Sequence, residues 1–180
     1  MISKRVMLEL AYHEGLVRQA YKDSVGVWTW SVGITSKSGH LVERYIDNPQ
    51  PLYRCLAVWE WVVREKYLPD VIDAFDRPLK EHQLAAALSF HYNTGAIKRA
   101  TWVKDFNHGD VVSSYENFLN WRNPPEIIPR RNAERDLFFN GRWSGDGTMT
   151  EFTRVGAGYR PIWSSARKVE VDSILEDLLG

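Results

Sequence analysis

With one cysteine, Cys55, the chain cannot close an internal disulfide, so its 180 residues must be held together by packing. A chain of this length can bury roughly 70% of the surface its unfolded form exposes, enough for a core without staples. Cys55 lies in a helical run and reads as a small buried apolar residue rather than a nucleophile. Excess charge of either sign is missing too, since 23 basic residues face 23 acidic ones. No bulk field would hold such a protein on nucleic acid or an anionic membrane, and nucleic acid is not expected as a partner. No stretch approaches the roughly 20 apolar residues of a membrane-spanning helix. The start, Met1-Ile2-Ser3-Lys4-Arg5, leads into an amphipathic helix instead of a signal-peptide apolar region. Internal repeats are absent. His13, His40, His82, His91 and His108 show neither two-histidine helical spacing nor a cysteine cluster, so no zinc site and no cofactor are expected.

What is present is a helical pattern broken by one turn-rich stretch. Val6, Met7, Leu10 and Ala11 set a helical period that Glu14 continues. Gly15 then stands where a stopping helix favours a residue tolerant of positive φ. Residues 16–50 have no sustained helical period and carry Gly26, Gly33, Gly39 and Pro49, which predicts a small β lobe of two or three strands. Helical periods follow over 52–67, 70–76, 80–93, 101–106, 110–120 and 130–139. The 80–93 segment is apolar nearly all round and belongs at the centre of its lobe, with Asn93-Thr94-Gly95 as its end. After a loop at 143–147, residues 164–179 read as a last amphipathic helix. The expected organisation is therefore α+β: a β lobe near 16–50, a helical lobe from 1–15 and 52–141, and a C-terminal extension over 142–180.

Glu14 and Asp23 bracket the change from helix to sheet. Glu14, at a helix end beside apolar neighbours, is expected to be poorly solvated, which favours its protonated form. Asp23, in a Lys-Asp-Ser turn near Gly26, is expected to be hydrated, hydrogen-bonded and ionised. Two carboxyls pushed to opposite protonation states are what glycoside hydrolysis requires. One gives a proton to the leaving sugar oxygen, and the other steers water or offsets charge at the anomeric carbon. The plainer reading makes Glu14 part of an ion pair and Asp23 a turn residue. Trp28 and Trp30 alternate with Thr29 and so face away from it on a strand; either one stacks on a sugar or both fill the core.

Glu14, Asp23 and Thr29, with Gly15, Tyr21, Lys22 and Gly26 among them, resemble the active-site segment of the phage-type lysozymes, the endolysins of glycoside hydrolase family 24. Residues 83–95 resemble that family's central helix, Asn107-His108-Gly109-Asp110 its Asn-x-Gly-Asp turn, and residues 129–138 its Arg-Arg-x-x-Glu-x-x-Leu-Phe helix. These matches run in the family's order over about residues 5–141. One run departs: where the family often reads Thr-x-Gly-x-Gly-His, this chain has Thr29-Trp30-Ser31-Val32-Gly33-Ile34.

The resemblance implies a lysozyme-like fold, with the active-site cleft between a small β lobe and a larger helical lobe. It implies a monomeric muramidase acting on peptidoglycan, with Glu14 as proton donor, Asp23 as second carboxylate and Thr29 positioning water or Asp23. Arg130, reaching the catalytic Glu14, and His91, lining the cleft, are carried over from the family as substrate-side residues, and Trp28 joins them as the residue that would stack on a sugar. Against these stand an i to i+4 contact of Arg130 with Glu134 and an ordinary half-buried His91. The resemblance also implies host lysis from the cytoplasm, with a holin-type membrane lesion opening the way to the wall. Two alternatives stay open: a lytic transglycosylase, which needs one acid and no water, and a non-catalytic wall-binding or virion protein.

Overall fold

Ser3 opens the first helix, its side-chain oxygen accepting from the Val6 amide at 3.2 Å. That helix, α1 (Lys4–His13), turns Val6, Met7, Leu10 and Ala11 inward. The computed structural model describes all 180 residues, in two units: Ser3–Val63 with Gly145–Gly180, and Arg64–Ser144.

In the first unit, α1 passes through Glu14 into β1 (Gly15–Lys22), which pairs antiparallel with β2 (Trp28–Ser31). The register slips between Val17 and Tyr21. There the Arg18 carbonyl accepts from the Trp30 indole at 2.7 Å and from the Gln50 amide at 3.0 Å. Trp30 is fully buried, stacked on Tyr45 with ring centroids 3.9 Å apart, so it is core. Helix α2 (Leu52–Val62) packs against β2.

The C-terminal segment departs from expectation. Residues 142–180 supply β3 (Thr148–Phe152) and β4 (Ala166–Glu170) before α8 (Asp172–Leu179). The sheet order is β2-β1-β3-β4, with β1 and β3 parallel and β3 and β4 antiparallel. The helix expected over 164–179 is thus halved, because pairing with β3 overrides the helix preference of Ala166, Arg167 and Lys168. Helix α8 packs on α1. The sheet unit therefore takes in residues 3–15 and 52–63, which had been expected in the helical lobe.

The second unit is helical: α3 (Leu68–Ala74), α4 (Glu81–Thr94), α5 (Thr101–Asn107), α6 (Val111–Phe118) and α7 (Ile128–Asn140). Helix α4 is its centre, with every side chain from Ala85 to His91 buried. It ends at Gly95, whose φ of +65° lets its amide return to the His91 carbonyl. Phe75, Phe90, Trp102, Phe118 and Phe138 form one aromatic cluster around it. No helix is long and apolar enough to cross a membrane.

Candidate active site

Glu14 closes α1 in extended conformation (φ −109°, ψ 157°), its amide bonded to the Ala11 carbonyl at 3.2 Å. It is half-buried. Gly15 begins β1 without entering the left-handed region, so the reason expected for this glycine does not hold. Space explains it instead. A Cβ on Gly15 would lie 2.9 Å from Cε2 of Phe152, so any side chain there would have to displace that ring.

At the far end of β1, Asp23 enters a tight turn. Its Oδ1 accepts from the Val25 amide at 3.0 Å and the Val27 amide at 2.9 Å. Its own amide donates to the Val27 carbonyl, and Gly26, at φ +84°, closes the loop with a bond to the Asp23 carbonyl. These bonds consume Oδ1 and leave Oδ2 as the oxygen the turn does not hold. Thr29 is buried, pairs across the ladder with Tyr21, and donates from Oγ1 to the Val27 carbonyl at 3.0 Å. It thereby buttresses the same turn.

A straight strand would set Glu14 and Asp23 roughly 30 Å apart, at about 3.3 Å per residue. The register slips within β1, and an irregularity of that kind bends the strand that carries it. Tyr21 lies on the Asp23 side of the slip. Burial, and then the charges of Glu14 and Asp23, push its phenol up to about 12. Both acids thus act on one hydroxyl. Tyr21 was legible as part of the motif but had no role assigned to it from sequence.

Trp28 is half-exposed beside the turn, with the Lys22 ammonium 5.1 Å from its ring centre and Tyr159 edge-on at 4.9 Å. His91 and Arg130, expected on the substrate side, belong to the helical unit. His91 is buried, with its Nε2 against Asp70 Oδ2 at 3.2 Å and its Nδ1 accepting from the Ile97 amide at 3.4 Å. Burial lowers its pKa, against the pull of Asp70. Arg130 bonds Glu134 at 3.3 Å, the Ser89 carbonyl at 3.1 Å and Ser89 Oγ at 3.2 Å. The i to i+4 contact open from sequence is therefore made. Arg131 is more deeply placed, giving its guanidinium to Glu134, Asn93 and the Trp121 carbonyl. Cys55 is buried and its thiol is pushed up to about 12 by desolvation, which removes it as a nucleophile.

An apolar groove of about 360 Å³, lined by His40, Tyr53, Arg54, Ala57, Val58 and Trp61, also lies in the sheet unit. It contains neither acid.

Comparison with known proteins matches the geometry to relatives. The phage lysozyme family matches residues 11–134. The endolysin of Bacillus phage B103 is 29% identical over 142 residues, 71% of this chain, and the matched part is about half (50%) of that endolysin's length. Among solved structures, the endolysin of the Escherichia coli O157:H7 phage FAHEc1 superposes with a TM-score of 0.70 at 22% identity, covering 80% of this chain and 96% of that one. A variant of the lysozyme of phage P22 gives 0.64 at 26% identity, covering 78% and 99%. The muramidase domain of SpmX from Asticaccaulis excentricus gives 0.62 at 24% identity, covering 78% and 98%. With a family match over more than half its length, both acids inside it and a lysozyme-like fold, this chain belongs to the phage lysozyme family.

Proposed function

We propose that the protein is an endolysin muramidase that hydrolyses the β-1,4 bond between N-acetylmuramic acid and N-acetylglucosamine in peptidoglycan. The observation that carries this reading is the placement of Glu14 and Asp23 at the two ends of one strand, β1, with Asp23 Oδ1 held by two backbone amides. Family membership supports the substrate class.

Glu14 donates the proton to the leaving glycosidic oxygen. Asp23, with Oδ1 held by the Val25 and Val27 amides, presents Oδ2 to the anomeric side, where it orients water or offsets the developing positive charge. Thr29 keeps the Asp23 turn in place through the Val27 carbonyl. Trp28, half-exposed beside the turn, is the aromatic ring that stacks on a sugar. His91 and Arg130 serve the substrate side, each oriented by a carboxylate, Asp70 and Glu134 respectively. The enzyme works as a monomer and reaches the wall from the host cytoplasm through a membrane lesion of the holin type.

General acid catalysis contributes about 10² to 10⁴ in rate. Glu14→Gln is therefore expected to fold with an unchanged circular dichroism spectrum and to clear purified peptidoglycan at least about 100-fold more slowly. Full activity in that variant would end the proposal. Mass spectrometry of the wild-type products checks the chemistry. Reducing ends are expected, anhydro-muramyl ends would mean transglycosylation, and binding without cleavage would mean a wall-binding protein.

A further inference from the structure

The family match ends at residue 134, yet the chain beyond it touches the segment that bears both acids at each of its ends. On the Glu14 side, β3 pairs in parallel with β1 at Gly15–Thr150 and Leu16–Glu151, and the Phe152 ring covers Gly15. Trp163 backs that ring at 5.0 Å. Glu151 is buried and holds Arg18 by one hydrogen bond at 3.0 Å and an ion-pair contact at 2.9 Å, which ties β1 to β3 beside its register slip.

On the Asp23 side a tight loop reaches the catalytic turn. Val155 bridges Pro161, the Gly156 amide bonds the Arg160 carbonyl at 2.8 Å, and the Ile162 amide bonds the Arg154 carbonyl at 2.9 Å. From this closed loop Arg160 gives an Nη1 hydrogen to the Asp23 carbonyl. Tyr159 sets its ring edge-on to Trp28 at 4.9 Å, and its hydroxyl donates to Asp47 Oδ2 at 2.8 Å. Tyr159 holds a φ of +59°, a left-handed conformation unfavourable for a residue with a Cβ. An unfavourable backbone at the point of contact is what a loop shaped for its contacts shows.

We propose that residues 145–165 form a brace that fixes the spacing of Asp23 from Glu14, with Arg160 and Tyr159 as positioning residues for the Asp23 turn. The proposal rests on the reading of Glu14 and Asp23 as the reacting pair. The brace grips backbone, not carboxylate, so it governs where Asp23 stands and leaves Oδ2 to the substrate. Loss of Arg160 loosens the turn and lowers turnover. Substrate affinity, which draws on many more contacts, changes little.

Arg160→Ala, Arg160→Lys and Tyr159→Ala in the full chain test this in two ways. Amide hydrogen exchange over residues 23–27, followed by mass spectrometry, needs no catalysis. It is expected to quicken about tenfold in Arg160→Ala, the factor lost with one charge-assisted hydrogen bond. The same measurement over 148–170 stays at its wild-type rate. On purified peptidoglycan, kcat is expected to fall roughly tenfold with KM and Tm held, and Arg160→Lys to recover part of it. Wild-type exchange in the turn, or kcat at the wild-type value, overturns the brace. So does a general loss, with exchange faster across the whole sheet and Tm lowered. If wild type fails to cleave or Glu14→Gln is fully active, the muramidase reading falls, and the exchange data still decide the brace.

Discussion

Ser31 stands where the family often carries glycine, and its φ of +57° shows why glycine suits the position. A residue with a Cβ loses about 1–2 kcal/mol in that conformation. Ser31 is buried and donates from Oγ to the Cys55 carbonyl at 2.9 Å, a bond glycine cannot make. The hydroxyl thus offsets the backbone cost. Ile34, in place of the family's histidine, is buried and exchanges both backbone bonds with Trp30 at 2.8 and 2.9 Å, so this departure fills the core. Ser31→Ala keeps the strained backbone and loses the bond, and is expected to destabilise by about 1–2 kcal/mol. Ser31→Gly loses the bond but relieves the strain and is expected to cost less than half as much. Urea denaturation of the three proteins measures the order. The departure was legible in the sequence; its compensation was not, because it depends on a partner in another element.

At the scale of elements, α7 illustrates what a pattern can and cannot reveal. Arg130 with Glu134 is an i to i+4 pair, readable from spacing alone. Arg131 was an anomaly, a cation in the first turns of a helix. The fold resolves it with partners outside that turn: Asn93 on α4, the Trp121 carbonyl, and the face of Phe90 at 4.9 Å. Glu134 is the hub, since it also accepts from Ser89 on α4. Glu134→Ala would leave Arg131 buried without its carboxylate and is expected to destabilise by about 3–5 kcal/mol, read from chemical denaturation. Glu134→Gln retains acceptors for part of that set and should cost less. A second case is the segment expected to be helical over 52–67. The α-helix stops at Val62, and a π-helical turn, Val63–Tyr67, leads into α3. Pro69 has no amide to return to the preceding turn, and a widened turn accommodates that loss.

For the molecule as a whole, the C-terminal extension changes what counts as the core of the sheet unit. Met149, Glu151, Val171 and Leu175 are all buried, and the Glu9 carboxylate on α1 accepts from the Gly145 amide at 2.7 Å. A chain ending at Ser144 would retain every residue of the family match and lose half the sheet. The truncation removes the buried side chains of Met149, Val171 and Leu175, each worth about 1.5–3 kcal/mol. At about 2–4 °C per kcal/mol for a chain of this size, the truncated protein is expected to melt at least about 10 °C lower, as calorimetry would measure. An unchanged melting temperature would show that the extension is an appendage.

From the sequence alone came the helical periods, the central place of α4, the acids on either side of β1, and the family. Each rests on short-range spacing or on a run of residues in fixed order, which a linear reading can see. Only the tertiary structure decided that Gly15 is there for the Phe152 ring, that Ser31 has a hydrogen bond to offset its backbone, and that residues 148–170 complete the sheet. The physical reason is common to all three. Each depends on groups brought together across 24 to 137 positions of chain, as Ser31 to Cys55 and Gly15 to Phe152 mark, and no local propensity encodes a contact at that range.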